Sequence, residues 1–314
     1  MTESGPLLDT QDPTAQEPFT GVTLSRLVLP EGPWVLLIDY LELRFKGQSR
    51  ALLLARMGRA EIAFEKGVAL RAEEPYRAHR KLFYTRQVEA ETPVPFKEAI
   101  LFQDEHLLVA DKPPFLTVVP AGKHLQETLL VRLRKSTGIE SLVPMHRIDR
   151  ETSGLVMFTI QSETRGRYQS LFELKEIQKT YEAIAPYSPW LSFPMDYASF
   201  IEESPAFMQM QEVAGRTPNA FTRIECVEQQ GELARYLVTP ITGKKHQIRI
   251  HFSSLGIPIL NDRIYPNLQP VGSDDYSKPL QLLAKTLSFI DPLSKARRFF
   301  ESKQSLSLVG VVCK

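Results

Sequence analysis

The pattern of apolar and polar residues divides the chain into a polar start, a short helical segment and a long segment rich in strands. Residues 1–21 have no hydrophobic periodicity and are rich in Thr, Gln, Asp, Pro and Glu, which predicts a disordered tail. From Val35 to Phe45 apolar residues recur at helical spacing, and Ser49 is placed to cap a second helix. We therefore expect a small N-terminal α/β module over residues 22–92.

Two short apolar runs complete this module, and a proline-rich stretch ends it. Residues 60–64 and 67–72 predict two short strands around a turn. Pro93 and Pro95 each favour an extended conformation in the preceding residue, so we expect a linker here. The remainder, residues 93–314, should form one larger domain.

The larger domain is predicted to combine many strands with a few helices. Short apolar runs predict strands at 100–102, 107–110, 155–160, 178–185, 208–210, 220–226 and, as the final strand, 280–289. Helical spacing and capping residues predict helices at 128–135 and 162–177. Residues 247–252 also alternate like a strand, but apolar residues at i, i+4 and i+7 before Gly256 favour a third helix.

Composition and charge fit an ordinary globular protein and exclude several classes. Of 314 residues, 43% are hydrophobic and 24% are charged, and the net charge is +1, so the whole surface is not basic. Cys226 and Cys313 are too few for a disulfide framework or a multi-cysteine zinc site. No apolar run is long enough for a membrane span, and the start does not have the pattern of a signal peptide. We expect a cytoplasmic protein that does not bind membranes.

The N-terminal module has a local excess of positive charge. Between Tyr40 and Glu89 there are eleven Lys or Arg residues and six Glu residues. Such an excess can supply phosphate contacts to a nucleic acid, or it can be a solvated surface over a packed core. Both interpretations remain open at this stage.

The most unusual stretch is Met145–Leu155, which places one carboxylate between two guanidinium groups. Asp149 follows Arg147 by two residues and precedes Arg150, and nearby positive charge keeps a carboxyl group ionised. The small residues at 152–154 predict a turn at which the backbone comes close to another group. Alone, this pattern is most often a surface loop with an ion pair.

The whole stretch resembles the signature of the RluA-type RNA pseudouridine synthases, His-Arg-Leu-Asp-Arg-x-Thr-Ser-Gly, with Ile148 in place of Leu. Residues 178–181 resemble the second motif of this family, a Lys-x-Tyr. Residues 242–251 resemble its third motif, Thr-Gly-Arg-x-His-Gln-Ile-Arg-x-His, with Lys244 in place of Arg. Residues 256–262 resemble the segment that follows it, Gly-x-Pro-Ile-x-Gly-Asp, with Asn261 in place of the second Gly. The resemblance extends over about residues 97–291.

The end of the second predicted strand resembles the opening motif of the family. Asp111-Lys112-Pro113-Pro114 matches it, although Phe115 stands where Gly is common and Val119 where His is often found. Lys112 either caps carbonyl groups at the strand end or contacts RNA, and we favour the first role.

The resemblance implies an α+β fold in which a bent, mostly antiparallel mixed sheet is flanked by helices. It also implies isomerisation of uridine to pseudouridine after the base is flipped out of the RNA, without a cofactor. By resemblance, Asp149 is the catalytic carboxylate and Arg249 pairs with it. Tyr181 stacks on the uracil and assists proton removal from carbon 5, and Arg147 occupies the place of the flipped base.

Further RNA contacts and the partner also follow from the resemblance. The residues expected to bind RNA are Arg147, Arg150, Lys179, Lys244 and His246. No metal ion is predicted, because His246 and His251 have neither a nearby Cys nor a third ligand. The expected partner is ribosomal or transfer RNA, and the protein is expected to be a monomer. The N-terminal module is either a degenerate version of the family's small α-L RNA-binding module or an unrelated cap.

Three other functions compete with this one. A non-catalytic RNA-binding relative would lack one of Asp149, Tyr181 and Arg249, and all three are present. An unrelated hydrolase with a nucleophilic aspartate would need a second acid–base group, and no matching motif exists. An RNA chaperone activity could coexist with catalysis.

Overall fold

The computed structural model describes residues 25–65, 67–85, 91–206, 208–270, 272 and 274–308. The predicted tail over residues 1–21 lies outside these ranges.

Two helices and a three-stranded sheet form the N-terminal module. The elements are β1 (Ser25–Val28), α1 (Leu37–Arg44), α2 (Arg50–Gly58), β2 (Ile62–Ala63) and β3 (Lys81–Tyr84). The strands pair antiparallel in the order β1-β3-β2. Both predicted helices are confirmed, and the Ser49 side chain accepts a hydrogen bond from the Leu52 N–H at 3.3 Å, as a capping residue does.

The predicted strand at 67–72 is wrong. The Leu70 N–H donates instead to the carbonyl oxygen of Met57 at 3.0 Å, so this segment is bound to the end of α2. The strand that pairs with β2 is β3. Leu70 packs against the core of the module whereas Val68 is about half exposed, so the segment is a surface loop held to α2, an outcome that a short apolar run does not reveal.

A buried arginine lies inside this module. The Arg56 side chain in α2 is only 1% exposed. Its guanidinium donates to Glu61 Oε2 at 3.2 Å, to Gln48 Oε1 at 2.7 Å and to the carbonyl oxygen of Thr85. Glu61 also accepts a hydrogen bond from Arg59 at 2.6 Å. Part of the positive charge of the module is thus internal.

A ten-stranded mixed sheet forms the core of the larger region. Its elements and the neighbouring ones are β4 (Ala99–Gln103), β5 (Leu107–Lys112), α3 (Leu129–Thr137), β6 (Val143–Pro144), β7 (Ser153–Thr159), α4 (Ser162–Glu173), β8 (Gln178–Pro186), β9 (Met195–Ser199), β10 (Ile201–Glu203), β11 (Met210–Glu212), β12 (Ala220–Gln230), β13 (Leu233–Pro240), α5 (Gln247–Ser254), β14 (Leu282–Ile290) and β15 (Arg297–Glu301). The strand order is β4-β5-β7-β14-β8-β13-β12-β9, with β15 on β14 and β6 on β7, while β10 and β11 form a separate pair. Only β14 and β7 pair in parallel among the described strands, which confirms the predicted α+β, mostly antiparallel fold.

The sequence pattern predicted β14 as the final strand, and this prediction is wrong. It is followed by β15, and it lies between β7 and β8 in the middle of the sheet. An apolar run predicts a buried strand, but it carries no information about which strands lie beside it.

The strand β7 is buried on both faces of the sheet, which explains its unbroken apolar sequence. Val156 and Phe158 pack on one face with residues of α3, and Leu155 and Met157 pack on the other with residues of α4. Because β7 is packed on both faces, the segment that carries Asp149 leads into a completely buried strand.

Gly154 makes the close approach that the small residues at 152–154 predicted. Its φ angle is +108°, and a Cβ atom placed on it would lie 2.3 Å from the carbonyl oxygen of Ala284 in β14. Residues 153 and 154 already belong to β7, so the predicted turn is shorter than expected. Any larger residue at 154 would push β7 and β14 apart.

Capping residues mark both ends of α3, whereas α4 and α5 begin without a side-chain cap, and Ser162, predicted as a cap, is the first residue of α4. Thr128 caps α3 and Gly138 ends it in a left-handed conformation, as predicted. The helix α4 ends at Glu173, four residues earlier than predicted, because Lys175 has a left-handed backbone and is exposed. The helix α5 is confirmed, with Gly256 at positive φ just after it.

The strands near Met210 also differ from the prediction. The predicted strand at 208–210 begins only at Met210, and it pairs with β10. The predicted strand at 220–226 is confirmed as the first part of β12, which pairs with β9 and β13.

The predicted linker is bound to the larger region. The Glu91 carboxylate accepts hydrogen bonds from the N–H groups of residues 125–127 at 2.8 to 3.0 Å. The Val94 N–H donates to Glu127 at 3.0 Å, and Arg132 donates to the carbonyl oxygens of Val94 and Phe96, both at 2.8 Å. The proline-containing segment is thus fixed to the larger region by hydrogen bonds on its backbone and side chains.

Candidate active site

An ion pair joins the segment before β7 to the first turn of α5. Nη1 of Arg249 lies 3.1 Å from Oδ2 of Asp149, although 100 residues separate the two in the chain. The apolar residues Ile248 and Phe252 of α5 pack against the sheet, and Arg249, between them in the helix, binds Asp149. The structure thus brings together the two residues that the first and third motifs predicted.

Asp262 fixes the other side of the same guanidinium. Its two carboxylate oxygens accept from Nε and Nη2 of Arg249, both at 2.7 Å, in a bidentate pair. Asp262 Oδ1 also accepts the N–H groups of Ile264 at 2.8 Å and Tyr265 at 3.1 Å. Only 1% of the Asp262 side chain is exposed, so Arg249 is held by a buried carboxylate.

A third carboxylate completes the surroundings of Arg249. Oε2 of Glu151 lies 3.7 Å from Nη1 of Arg249. Burial lowers the pKa of Arg249, but Asp262, Asp149 and Glu151 outweigh it and raise that pKa, so the guanidinium stays charged. One buried cation therefore faces three carboxylates.

The two oxygens of Asp149 have different surroundings. Oδ2 accepts from Arg249, whereas Oδ1 faces Nε2 of His246 at 3.8 Å, too far for a hydrogen bond. The Asp149 side chain is 24% exposed, while that of Asp262 is almost completely buried. Asp149 is thus held by a cation and is still accessible to a substrate.

Tyr181 lies in the middle of β8, opposite Ala284 of β14 and Val238 of β13. Burial, followed by the charge of nearby Asp149, raises the pKa of Tyr181, so its hydroxyl group stays protonated at neutral pH. The structure therefore places the predicted aromatic residue near the predicted carboxylate.

The predicted RNA-binding cations are placed in different ways. Arg147 and Lys244 are exposed, and neither side chain forms an ion pair or hydrogen bond within the described ranges. Arg150 pairs with both oxygens of Asp274 and with Glu151. These three residues were predicted to bind RNA, and only the first two are free to do so without exchanging a partner.

The other two predicted RNA contacts are less accessible. Lys179 is partly buried, with Nζ 5.9 Å from the centre of the Phe172 ring, and burial lowers its pKa. His246 has only 8% of its side chain exposed, and its Nδ1 lies 2.8 Å from the hydroxyl oxygen of Tyr265.

Lys112 supports the backbone beside Asp149. Its Nζ donates to the carbonyl oxygens of Pro113 at 2.9 Å, Leu116 at 2.8 Å and Arg150 at 3.1 Å, which confirms the carbonyl-capping role. Burial lowers the pKa of Lys112 to about 7, but three acceptors match the three N–H bonds of the charged form and favour it. The residue next to Asp149 is thereby tied to the end of β5.

Sequence reasoning missed Asp262, Glu151 and Tyr265 as parts of the site. Asp262 ends the stretch Gly256–Asp262, which resembles a family segment, and its position directly after a matched motif was the available signal. Nothing in the local sequence distinguishes Glu151 or Tyr265 from ordinary loop residues.

Neither a metal centre nor a membrane segment emerges from the described part of the chain. No three His, Cys, Asp or Glu side chains there are grouped so that they could hold a metal ion. The helices described are all too short or too polar to cross a lipid bilayer.

Known proteins resemble this chain in sequence and in structure. A family model described as RNA pseudouridylate synthase matches residues 106–254. An uncharacterized RNA pseudouridine synthase from Synechocystis sp. shares 30% identity over 234 residues, 73% of this chain and 79% of that protein. The dual-specificity RNA pseudouridine synthase RluA of Haemophilus influenzae shares 28% identity over 219 residues, 65% of this chain and 92% of that protein.

A solved structure supports the same fold. Human RNA pseudouridylate synthase domain containing 1 superposes with a TM-score of 0.55 at 20% identity, covering 68% of this chain and 86% of that one. The matched family region contains Asp149, Tyr181 and Arg249. The chain belongs to the RluA-type family of RNA pseudouridine synthases, enzymes that convert uridine in RNA to pseudouridine.

Proposed function

We propose that Asp149 is the catalytic carboxylate of this pseudouridine synthase and that Arg249 and Tyr181 complete its active site. The observation that carries the proposal is the Arg249 guanidinium, which binds buried Asp262 on one side and accessible Asp149 on the other. Asp262 satisfies most of the charge of Arg249, so Asp149 is oriented without being fully engaged.

The reaction needs few chemical groups. The glycosidic bond must be broken, the uracil rotated, and its carbon 5 joined to the ribose, with no net oxidation or hydrolysis. An ionised carboxylate that adds to the ribose or relays a proton is sufficient in principle. Asp149 has the charge, the accessibility and the neighbouring cation that such a role requires.

Tyr181 supplies a neutral hydroxyl group and an aromatic ring. Its raised pKa keeps the proton on the phenol, so it can donate a hydrogen bond or transfer a proton only together with another group. Beside Asp149 it can take part in removing the proton from carbon 5 as a relay, in which its oxygen accepts that proton while its own hydroxyl proton passes to a neighbouring acceptor.

The uridine must leave the base stack before it can reach Asp149. Arg147 lies two residues away, is exposed, and has no ionic partner among the described residues. A free guanidinium at this position supports the role of occupying the vacated place in the RNA. Lys244 is equally free and suits a phosphate contact.

The N-terminal module is proposed to add phosphate contacts. Arg50 pairs with Asp39 and Glu42, so this cation is already neutralised. The exposed cations that form no ion pair within the described ranges are Arg26, Arg44, Lys46, Arg71, Arg77 and Lys81. These six cations can displace counterions from RNA on binding.

The substrate is proposed to be structured ribosomal or transfer RNA. The Haemophilus relative is named a dual-specificity RNA pseudouridine synthase, which supports more than one RNA as substrate. We infer that the protein works as a monomer, because its site is assembled within one chain. We also infer that it acts in the cytoplasm.

The substitution Asp149→Asn tests the proposal. It keeps the shape of the side chain and removes its charge, so turnover should fall by at least about a thousandfold while the melting temperature hardly changes. Tritium release from RNA that carries carbon-5-labelled uridine is the measurement. Asp196→Asn, at an exposed aspartate paired with Arg223, is the matched control and should retain full activity. Turnover by Asp149→Asn near that of the control would refute the assignment.

A further inference from the structure

A chain of three polar groups leads from the backbone to the unbound oxygen of Asp149. The Met210 N–H donates to the hydroxyl oxygen of Tyr265 at 2.9 Å. That oxygen lies 2.8 Å from Nδ1 of His246, and Nε2 of the same ring lies 3.8 Å from Oδ1 of Asp149.

The direction of this chain follows from the number of protons available. Tyr265 is buried, and within the described ranges its hydroxyl group has hydrogen bonds only with Met210 and His246. Met210 is the donor in the first bond, so Nδ1 is the acceptor left for the hydroxyl proton of Tyr265. The reverse arrangement would leave a buried O–H unbonded, at a cost of about 1–3 kcal/mol. Nδ1 of His246 therefore accepts, and in the neutral ring the proton lies on Nε2.

His246 is poorly suited to hold an RNA phosphate. Its side chain is almost fully buried, and burial lowers its pKa, so the ring is neutral at physiological pH. A neutral ring has one N–H to donate, and here that group faces Asp149. These observations argue for a role inside the site rather than on the RNA-binding surface.

The backbone around His246 is also held in place by hydrogen bonds. The residue precedes α5 in a left-handed conformation, with φ +57°. Gln247 accepts from the hydroxyl of Thr242 at 2.8 Å and the N–H of Lys244 at 3.0 Å, and it donates to Thr222 at 2.8 Å. The loop before His246 is thus fixed to β12.

One short segment supports both sides of Asp149. Asp262 binds Arg249, which holds Oδ2, and Tyr265 binds His246, which faces Oδ1. Asp262 also accepts the N–H of Tyr265, so the two supports are coupled.

We propose that His246 is a positioning residue that donates from Nε2 to Oδ1 of Asp149 in the RNA-bound enzyme, and that Tyr265 selects the tautomer able to do so. This inference rests on the proposed role of Asp149. A shift of about 1 Å converts the present 3.8 Å separation into a hydrogen bond. Arg249 and His246 would then hold one carboxylate oxygen each.

Two substitutions at one position separate the chemistry from the backbone. His246→Gln places an amide N–H near the position of Nε2, whereas His246→Asn places its amide near Nδ1 and cannot reach Asp149. Asn tolerates a left-handed backbone better than Gln does. A purely structural role thus predicts that Asn retains more activity, and the positioning role predicts the opposite order.

The measurements are the single-turnover rate of tritium release at saturating RNA, the Kd for RNA and the melting temperature. We expect a rate loss within about tenfold for His246→Gln and of roughly 10²-fold for His246→Asn, with Kd unchanged within about twofold. Tyr265→Phe removes the hydroxyl group that selects the tautomer of His246, so it should lower the rate about tenfold with the same Kd.

Several outcomes would overturn the inference. An Asn variant with the wild-type single-turnover rate does so whatever the Gln variant does, and so does a loss confined to Kd, which would show an RNA contact. Asp149→Asn is measured in the same assay. If that variant remains active, the proposed function fails. If it is inactive while His246→Asn is fully active, only the role of His246 fails.

Discussion

Two buried arginines, Arg249 and Arg56, solve the same physical problem in different ways. Each side chain is 1% exposed, so each must find partners for a charge that has lost its hydration. Arg56 uses one carboxylate, that of Glu61, together with neutral oxygens. Arg249 uses a bidentate carboxylate and then contacts two more.

The difference lies in how many carboxylates each cation has. Glu61 is shared by Arg56 and Arg59, so that cluster has more positive than negative charge. Around Arg249 the balance is reversed, and Asp149 holds only one of the five N–H groups of the guanidinium. A cation with surplus carboxylates leaves one of them available for chemistry. A cation without surplus only holds the fold together.

The strongest test of this comparison replaces each arginine by Met. Arg249→Met leaves Asp262 buried without its cation, at a cost of about 3–5 kcal/mol in the free energy of unfolding. It also removes the group that orients Asp149, so activity per folded molecule should fall by roughly 10³-fold. Denaturant unfolding and single-turnover tritium release measure the two effects.

Arg56→Met is the matched variant. Glu61 keeps Arg59, so the loss is mainly that of hydrogen bonds to neutral oxygens, about 1–3 kcal/mol. The activity of the folded fraction should equal that of the wild type. If Arg56→Met slowed the chemical step as much as Arg249→Met, the distinction between the two clusters would disappear.

An effect on activity without a comparable loss of stability is expected beside Asp149, at Tyr181. Tyr181→Phe keeps the ring and removes the hydroxyl group, so proton transfer should slow by roughly 10²–10⁴-fold while stacking persists. The comparison of single-turnover rate with RNA Kd shows which property is affected. A near-normal rate would mean that Tyr181 only packs against the base.

The smallest effect on the chemical step is expected when the whole N-terminal module, which contains Arg56, is removed. A chain that begins at residue 93 should bind RNA more weakly and with a flatter salt dependence, by roughly 0.7–0.9 in log–log slope for each phosphate that the module neutralises. Its single-turnover rate at saturating RNA should hardly change, because Asp149, Tyr181 and Arg249 remain.

The structure supplies a control for this truncation. Glu91 accepts three backbone N–H groups of the larger region, so a chain that begins at residue 91 keeps these hydrogen bonds and one that begins at 93 does not. If both chains melt early, the N-terminal module supports the fold. A stable truncated chain with the salt slope of the full protein would contradict the RNA-binding role of the module.

The parts of the fold that local patterns control could be predicted from the sequence. Buried strands such as β7 have continuous apolar runs, and α3 has both a capping Thr128 and a terminal Gly138. The order of strands could not be predicted, because pairing depends on contacts far apart in the chain. The segment at 67–72 failed for a related reason, since a short apolar run does not show whether a partner strand is available, and only Leu70 of this segment packs on the core of the module.

The residues of the site likewise divide into those that the sequence indicated and those that only the structure revealed. Asp149, Tyr181 and Arg249 were found by resemblance to a family, and no periodicity relates residues separated by such distances. Asp262 lies in a segment that resembles the family, yet its role could not be predicted, because only its burial and its bidentate contact distinguish it from a loop carboxylate. The buried position of His246 was equally invisible, since a motif does not report exposure.

The central position of β14 has a consequence for the order of events during synthesis. The N-terminal module draws its core from residues 29–82, so we expect it to fold while the ribosome is still translating the rest. The strands that carry Tyr181 and follow Asp149 are separated by β14, which is made about 100 residues after β8. A nascent chain that has not yet released β14 therefore contains the three proposed active-site residues without the strand that lies between β7 and β8, and we expect modification of RNA to wait for that strand.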